Sequence, residues 1–500
     1  MKNSKMIFVL AVWILTTATP AALCQEIENI SDDTQNCLAC HQSMTPNIYE
    51  NWSRSRMSRI TPAQAKKSPE LERRVSFENL PDAYANVVVG CAECHQMRPD
   101  KHKDAFDHQG AKIHTVVTPD DCATCHPVER EQFSRNLMAE AHGNLQDNPV
   151  YADLTKSTNG PMAFKNMALS HGTPDQQTDA DACLFCHGTR LTVGEMETRD
   201  TDLGPMEFPK IAGWPNQGVG RINPDGSKGS CSACHTRHEF AIEMARKPYT
   251  CAECHKGPDV PAYKVYKVSK HSNVVDSLAQ GKEWDFNAVP WTVGQDLTAP
   301  TCATCHVSLL VAPDGQVRAE RTHQMNDRLA WRIFGLIYAH AHPKSADTTI
   351  IKNKDGLPLP TALDGTPAEA YLISENEQEK RNRAMKGVCR SCHSGGWVDG
   401  HFERFENTIE TTNHQTAVAT QIMSKAWQEK AADPSDSLFN ESLERKWVEQ
   451  WLFYGNSTRF ASAMMGADYG VFANGRWYQS KNPHDMLELL KLKLEQINSE

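Results

Sequence analysis

Eight copies of one short motif, Cys-x-x-Cys-His, run through the chain and use sixteen of its seventeen cysteines. A zinc site or a thioredoxin-like redox pair does not explain a histidine that directly follows the second cysteine every time. Two thiols followed at once by a histidine are the attachment signature of c-type haem, in which the imidazole binds the iron. The sequence therefore predicts eight bound haems c. The motifs are Cys37, Cys40 and His41; Cys91, Cys94 and His95; Cys122, Cys125 and His126; Cys183, Cys186 and His187; Cys231, Cys234 and His235; Cys251, Cys254 and His255; Cys302, Cys305 and His306; and Cys389, Cys392 and His393.

Haem binding changes what this composition means for folding. Hydrophobic residues make up 39% of the 500 residues, and each macrocycle would add buried apolar surface that the side chains lack. Apolar positions at helical spacing predict long helices over residues 438–453 and 486–497, whereas alternation typical of strands is nearly absent. The Gly-, Pro- and Asn-rich segment 204–229 is predicted to be a loop. We expect a mainly α multihaem cytochrome c fold of haem-packed helices and loops, with long C-terminal helices.

The N-terminus has the features of a secretory signal peptide. A basic start is followed by an apolar run over residues 6–17, which is too short to span a bilayer, and then by small residues. Cleavage just after Cys24 would remove the seventeenth cysteine, whereas cleavage near Ala22 would leave it at the new start. Leu23 makes this a poor lipoprotein signal, because a small residue is wanted there. We expect a periplasmic protein whose mature chain has no membrane span.

Charge and motif spacing suggest the partners and the organisation. The net charge of −10 argues against nucleic acid as a partner and suits docking with a basic redox protein. The expected organisation is a signal peptide over residues 1–24, an octahaem-binding domain over 25–400 and a C-terminal helical region over 401–500.

Histidines outside the motifs could supply the second axial ligands. Electron-transfer haems usually have two protein ligands, whereas a haem that binds substrate leaves one side open. Thirteen of the 21 histidines are available, enough to close seven irons, but the sequence does not pair them. They are His102, His108, His114, His142, His171, His238, His271, His323, His340, His342, His401, His414 and His484.

Several stretches resemble the octahaem hydroxylamine oxidoreductase family, which includes hydrazine dehydrogenases and relatives that reduce hydroxylamine or nitrite. They are residues 231–240, 246–259, 269–271, 299–306 and 322–323. The resemblance covers about residues 35–480 and is most specific between Cys183 and His323.

This resemblance implies one catalytic haem, attached to Cys183 and Cys186 with His187 as its proximal ligand, and seven six-coordinate haems. It implies a homotrimer that passes electrons to a cytochrome partner. It also implies four distal ligands, which are His238, His271, His323 and His414. The candidates His102, His108, His114, His142 and His171 stay unassigned.

The chain departs from the family at three positions. The family has an Asp-His pair after the sixth motif as proton acceptors, and here Asp259 is followed by Val260. A distal tyrosine three residues past a tryptophan is replaced by Phe334. Met57 stands where the family has a histidine, so it is either an axial ligand that raises the haem potential or a core methionine.

A C-terminal tyrosine distinguishes the oxidative members of the family. In them, a tyrosine of the neighbouring subunit is covalently bonded to the catalytic haem, and reductive relatives lack this bond. The candidate here is Tyr469, with Tyr478 as the alternative.

Three functions follow from these observations. The first is oxidation of a small nitrogen compound, most simply hydroxylamine, with His187, Asp259 and Tyr469 as the catalytic residues. The second is a reductive enzyme acting on nitrite or hydroxylamine. The third is a multihaem electron carrier without chemistry of its own, which Val260 and Phe334 favour because they remove polar groups.

Overall fold

Short helices joined by irregular segments form most of the structure. The computed structural model of the chain describes residues 27–279, 281 and 284–499, so the expected signal peptide and Cys24 lie outside the described residues. About 47% of the described residues are helical, which confirms the predicted mainly α fold. The α-helices span Asp32–Met44, Pro46–Arg54, Pro62–Lys66, Asp82–Ala85, Cys91–His95, Pro119–Cys122, Pro127–Ser134, Ala141–Gln146, Pro149–Asn159, Gln176–Asp181, Cys183–His187, Ile242–Arg246, Pro248–Ala252, Ala262–Lys267, Lys270–Leu278, Cys302–His306, Glu375–Cys389, Gly395–Gln428, Ser442–Val448, Asn456–Met464, Ala467–Val471 and Arg476–Ser499.

Three haem motifs form a helical turn by themselves, namely Cys91–His95, Cys183–His187 and Cys302–His306. In a helix, residues three and four apart lie on one face. The two cysteines and the histidine are therefore presented to the same side of the turn. At the second motif, the Glu93 carboxylate accepts a hydrogen bond from the Gly90 N–H at 2.9 Å, which caps the turn.

Strands occur as small separate sheets rather than as one layer. Four antiparallel hairpins and one three-stranded sheet are present in the described part of the chain. Their strands are Ala105–His108 with Ala111–His114, Met162–Lys165 with Ala168–His171, Thr192–Thr201 with Gly204–Ala212, Trp331–Arg332 with His340–Ala341, and Trp291–Thr292 with Leu310–Val311 and Val317–Ala319.

The longest hairpin corrects one prediction. Segment 204–229 was expected to be a loop, yet its first part, Gly204–Ala212, is a strand paired with Thr192–Thr201. Pro205 and Pro209 lie in that strand. Both strands of a two-stranded sheet are edge strands, and an edge strand can contain residues without a backbone donor. The composition typical of a loop was therefore compatible with a hairpin.

The C-terminal helices pack together as a bundle. The longest, Gly395–Gln428, spans the position expected to separate the two regions at residue 400. The helix predicted over residues 438–453 begins later, at Ser442, because the Glu444 carboxylate accepts hydrogen bonds from the backbone N–H groups of Asn440 and Glu441. It then continues through a π-helical segment, Glu449–Gly455, into Asn456–Met464.

Two clusters of buried hydrophobic side chains stabilise the fold. The larger one joins the C-terminal helices through Trp447, Trp451 and Met423, and the indole N–H of Trp447 donates to the Thr420 hydroxyl at 2.9 Å. The smaller cluster is centred on Trp291 and Leu310. Neither cluster includes a residue before Val150, so the N-terminal part is organised around a different kind of interior. No described helix has both the length and the apolar character needed to cross a membrane.

Candidate haem-binding cavity and catalytic pocket

One connected cavity of about 3290 Å³ runs through the molecule and is lined by the cysteines and histidine of all eight motifs. The sixteen motif cysteines are free thiols rather than disulfides. Thiols and imidazoles that converge on a largely apolar interior are the donor set that c-type haem requires. The residues present therefore fit haem c, and each motif would hold one.

Contacts between cysteines of different motifs show which attachment sites are adjacent. The side chain of Cys37 contacts that of Cys91, joining motifs one and two. Equivalent contacts join motif three to five, four to six, and six to seven. They are Cys122 with Cys231, Cys186 with Cys254, and Cys251 with Cys302. The fourth attachment site therefore adjoins the sixth, which adjoins the seventh.

Four motif histidines face a second imidazole across the cavity. At a metal–nitrogen distance of about 2.0–2.1 Å, two imidazoles on one metal have ring centres roughly 6 Å apart. The observed separations of ring centres are 6.0, 6.4, 6.4 and 6.1 Å. The pairs are His41 with His108, His95 with His238, His235 with His323, and His393 with His271. Each second histidine would close one iron. His114 also lies 6.2 Å from His95 between ring centres, but both of its nitrogens face backbone carbonyls.

Two of the proximal histidines are oriented by backbone carbonyls. Nδ1 of His95 lies 2.8 Å from the carbonyl oxygen of His114, and Nδ1 of His187 lies 3.1 Å from that of Ala141. A carbonyl accepts only from a protonated Nδ1, which leaves the Nε2 lone pair for iron. Burial lowers the pKa of His187, so its imidazole is neutral.

Two of the unassigned histidines contact protein groups other than a motif histidine. His102 is buried, with Nε2 3.1 Å from the Asp121 carboxylate. Its Nδ1 lies 3.4 Å from Asp104, within ion-pair distance, but makes no hydrogen bond. Burial opposes its protonation, but the two carboxylates outweigh burial and raise the pKa of His102 to about 9. His114 stacks on His102, with ring centres 3.5 Å apart, and its two nitrogens face the carbonyls of Val116 and Met97. Both rings serve the packing around the second motif.

The remaining expected ligands lie in different surroundings. His414 has an exposed side chain on the helix Gly395–Gln428 and does not line the cavity, whereas His401 of the same helix is buried and does. His142 is buried, with Nδ1 2.7 Å from the carbonyl oxygen of Gly188. His171 ends a strand and is half-buried. Met57 lines the cavity.

Charged residues of opposite sign surround the fourth motif. The Asp259 carboxylate acts to raise the pKa of His187, and the Arg332 guanidinium acts to lower it. Val260 and Phe334, the two positions where the chain departs from the family, line the same cavity as Asp259 and Arg332. Arg332 was not singled out from the sequence, because one arginine beside a tryptophan gives no signal of its own.

One buried helix, Asn456–Met464, holds the two segments that carry these charges. Its Asn456 amide donates to the backbone carbonyl of Asp259 at 2.7 Å. Its Arg459, fully buried, donates to the carbonyl of Ile333 at 3.2 Å and to the Asn413 side chain at 3.0 Å. Asn413 in turn pairs with both backbone groups of Ala339. The C-terminal helices thus position the pocket beside the fourth motif.

Tyr469 lies outside the cavity of its own chain. The helix that carries Tyr469, Ala467–Val471, directly follows Gly466. A Cβ added to Gly466 would stand 2.6 Å from a side-chain carbon of Val265. This close approach requires glycine. Tyr469 is partly exposed, and burial followed by the charge of Asp468 raises its pKa.

The pairing of His108 with His41 can be tested by opening that iron. Replacing His108 with alanine removes the second ligand, so the reduced protein is expected to bind one more carbon monoxide per chain than the wild type. Absorbance titration measures the number. His484→Ala is the matched control, since His484 is exposed on the C-terminal helix and should leave the number unchanged. An unchanged number in His108→Ala would contradict the pairing.

Comparisons with known proteins identify what the whole chain is similar to. A family model described as seven times multi-haem cytochrome CxxCH matches residues 222–332. A solved structure described as a hypothetical multiheme protein is 40% identical, with a TM-score of 0.88 and coverage of 95% of this chain and 98% of that chain. A solved reducing HAO-like protein complex of Kuenenia stuttgartiensis is 17% identical, with a TM-score of 0.61 and coverage of 93% and 86%, and shows the shared fold.

Two curated protein sequences also match. A probable nitrite reductase-hydroxylamine oxidoreductase fusion protein of Kuenenia stuttgartiensis is 26% identical over 355 residues, which are 63% of this chain and 39% of that protein. The nine-heme cytochrome c of Desulfovibrio desulfuricans is 24% identical over 251 residues, 45% of this chain and 71% of that protein. The chain thus spans well under half of the fusion protein. It belongs to the multihaem cytochromes with Cys-x-x-Cys-His motifs, and its relatives support the resemblance to the hydroxylamine oxidoreductase family.

Proposed function

We propose that the chain is an exported octahaem oxidoreductase that converts a small nitrogen compound beside Cys183, Cys186 and His187. The observation that carries the proposal is that two residues of opposite charge, Asp259 and Arg332, line the cavity and both act on the pKa of His187 in the fourth motif. A bound haem would offer an iron with a free coordination position and would exchange electrons with the substrate.

The side chains of the pocket have separate roles in this proposal. His187, neutral and oriented by the Ala141 carbonyl, would hold the iron from the proximal side. Asp259 would accept protons as the substrate loses electrons, or return them in the reverse direction. Val260 and Phe334 add no proton acceptor, which leaves Asp259 as the acid–base group that the resemblance assigns. Electrons would leave through the sixth motif, whose Cys254 contacts Cys186.

The first experiment asks whether one iron is open. If one iron is open, reduced wild-type protein should bind about one carbon monoxide per chain, and hydroxylamine should reduce the oxidised haems. A carrier with every iron closed has no site for either molecule. Absorbance spectra measure both responses. A protein that binds no carbon monoxide and is not reduced by hydroxylamine would exclude the proposed function and leave the electron carrier.

The second candidate is reduction of nitrite or hydroxylamine at the same pocket. Arg332 favours it, since a cation in the pocket would attract an anionic substrate. The resemblance ties the oxidative direction to a tyrosine bonded to the catalytic haem, so the mass of the peptide that carries Cys183 and Cys186 separates the directions. A peptide joined to the one containing Tyr469 would support hydroxylamine oxidation, and an unjoined peptide would support reduction.

The same proposal includes a homotrimer in the periplasm that passes electrons to a cytochrome. Tyr469 does not line the cavity of its own chain, and within the next eight residues of the chain Phe472 and Trp477 are 65% and 55% exposed. Large exposed apolar side chains are typical of a surface that another chain covers. These features support delivery of Tyr469 to a neighbouring subunit.

A further inference from the structure

A hairpin over residues 162–171 presents an uncovered apolar face. Every residue of its first strand is exposed, as are the first three residues of its second strand. Side chains alternate between the two faces of a strand, and the register pairs Phe164 with Leu169 and Met162 with His171. Three apolar side chains, each 65% to 67% exposed, therefore share one face. None of these residues lines the haem cavity, so a bound haem would not cover this face.

The turn of the hairpin places a further apolar side chain in solvent. Asn166 and Met167 form a two-residue turn with φ angles of 53° and 60°. Turns of this kind favour glycine at the second position, yet the chain has a methionine there that is 89% exposed. A two-stranded hairpin is only marginally stable by itself in water, and large contiguous apolar patches on a soluble protein mark interaction sites. We therefore expect another surface to cover the hairpin.

The base of the hairpin is fixed beside the fourth motif. The side-chain amide of Asn159 lies 3.6 Å from Sγ of Cys183 and donates to the Asp179 carboxylate at 2.9 Å. Across the base, a Cβ added to Gly160 would stand 2.2 Å from the carbonyl oxygen of Gly172, and this close approach requires glycine. A chain that packs on the hairpin is therefore brought close to the fourth attachment site.

Apolar side chains are also uncovered in the C-terminal residues that follow Tyr469. Val471, Phe472 and Trp477 are exposed, and none of them lines the cavity. Within one chain, both these residues and the hairpin stay exposed, so they do not cover each other. Contact between one surface of a chain and a different surface of the next chain is a heterologous interface, which can close into a ring of identical subunits.

The two surfaces carry opposite charges. Apart from histidine, the one charged residue of the segment 160–172 is Lys165, and the one charged residue of the segment 466–475 is Asp468. Both side chains are exposed, so each is free to face an opposite charge on another chain. A protein interface of standard size has an apolar centre with a polar rim and buries about 800 Å² on each partner. The hairpin and the C-terminal segment of a second copy match in both respects, apolar character and charge.

We propose that the apolar face of the hairpin receives the C-terminal segment of a second copy of this chain, so that two chains together complete the pocket beside the fourth motif. The inference rests on the proposed function, which assigns Tyr469 to a neighbouring subunit, and it names the surface that receives this segment. Met162, Phe164 and Leu169 form the centre of the contact, and Phe472 of the second copy packs against them.

Complementation between two double variants tests this pairing. Phe164→Ser with Leu169→Ser disrupts the hairpin surface, and Phe472→Ser with Trp477→Ser disrupts the C-terminal surface. Each variant alone should associate about 30-fold more weakly than the wild type, the effect of losing a hot-spot contact, and should sediment as a monomer. An equimolar mixture of the two should form dimers, because one intact hairpin can still meet one intact C-terminal segment. Analytical ultracentrifugation measures the masses.

Turnover and a matched control complete the experiment. Turnover per chain should fall in each double variant and return in part in the mixture, because only paired chains complete a pocket. Met196→Ser is the control, since Met196 is an exposed apolar residue of another hairpin and does not line the cavity. It should sediment as the wild type does. Intact mass should show the full haem content in every variant.

The outcomes separate this inference from the proposed function. A monomeric wild type, a mixture that stays monomeric or full turnover by monomeric variants would overturn the inference. Flotation of the wild type with phospholipid vesicles, lost in the hairpin variant, would also overturn it, because the apolar face would then contact a membrane. A mixture that forms dimers while the reduced wild type binds no carbon monoxide would support the pairing and count against the proposed function.

Discussion

Replacing Cys183 and Cys186 together with serine is expected to abolish carbon monoxide binding and substrate turnover while seven haems remain attached. Serine hydroxyls cannot form the thioether bonds, so the fourth motif would lose its haem. The resemblance to the hydroxylamine oxidoreductase family implies that the open iron belongs to this motif, and two charged residues, Asp259 and Arg332, act on its His187. Intact mass should fall by one haem per chain, and absorbance should show no response to carbon monoxide.

The matched control for this variant is the double replacement of Cys37 and Cys40. It also removes one haem, but from a motif whose His41 faces His108 across the cavity. Carbon monoxide binding should therefore persist in the control. Equal carbon monoxide binding by both double variants would show that the open iron belongs to another motif.

Local elements of the fold could be predicted from the sequence, whereas their irregularities could not. The C-terminal helix predicted over residues 486–497 is part of Arg476–Ser499, because its apolar positions repeat at helical spacing. The π-helical segment Glu449–Gly455 has no periodicity that separates it from an α-helix. The strand Gly204–Ala212 was missed, since prolines in an isolated hairpin look the same as prolines in a loop.

In the candidate site, too, one part could be predicted from the sequence and another could not. Each attachment motif could be predicted because its three residues are neighbours in sequence, whereas each second ligand comes from far away. His108 and His41 meet only through the tertiary fold. His401 and His414 share one helix, and a spacing of thirteen residues at 3.6 residues per turn puts them on nearly opposite faces. Only packing shows which face is buried, and the cavity is lined by His401.

Replacing Asp259 with asparagine is expected to lower kcat by about 10²- to 10⁴-fold, the contribution typical of a positioned acid–base group. The side chain keeps nearly the same size, and the backbone carbonyl of residue 259 can still accept from Asn456. The pocket should therefore stay intact while its proton acceptor is lost. Steady-state turnover measures the effect, and carbon monoxide binding, which needs no proton transfer, should remain at the wild-type level.

Asp200→Asn is the control, because Asp200 is an exposed residue of the hairpin, is paired with Pro205 in the sheet and does not line the cavity. A second variant tests the chemistry rather than the fold. Adding Val260→His to Asp259→Asn supplies an imidazole at the next residue of the same segment, which lines the cavity, and should restore part of kcat, since histidine also transfers protons near neutral pH. A kcat that stays at the wild-type value in Asp259→Asn would remove Asp259 from the mechanism. The protons would then have to move through another group of the pocket.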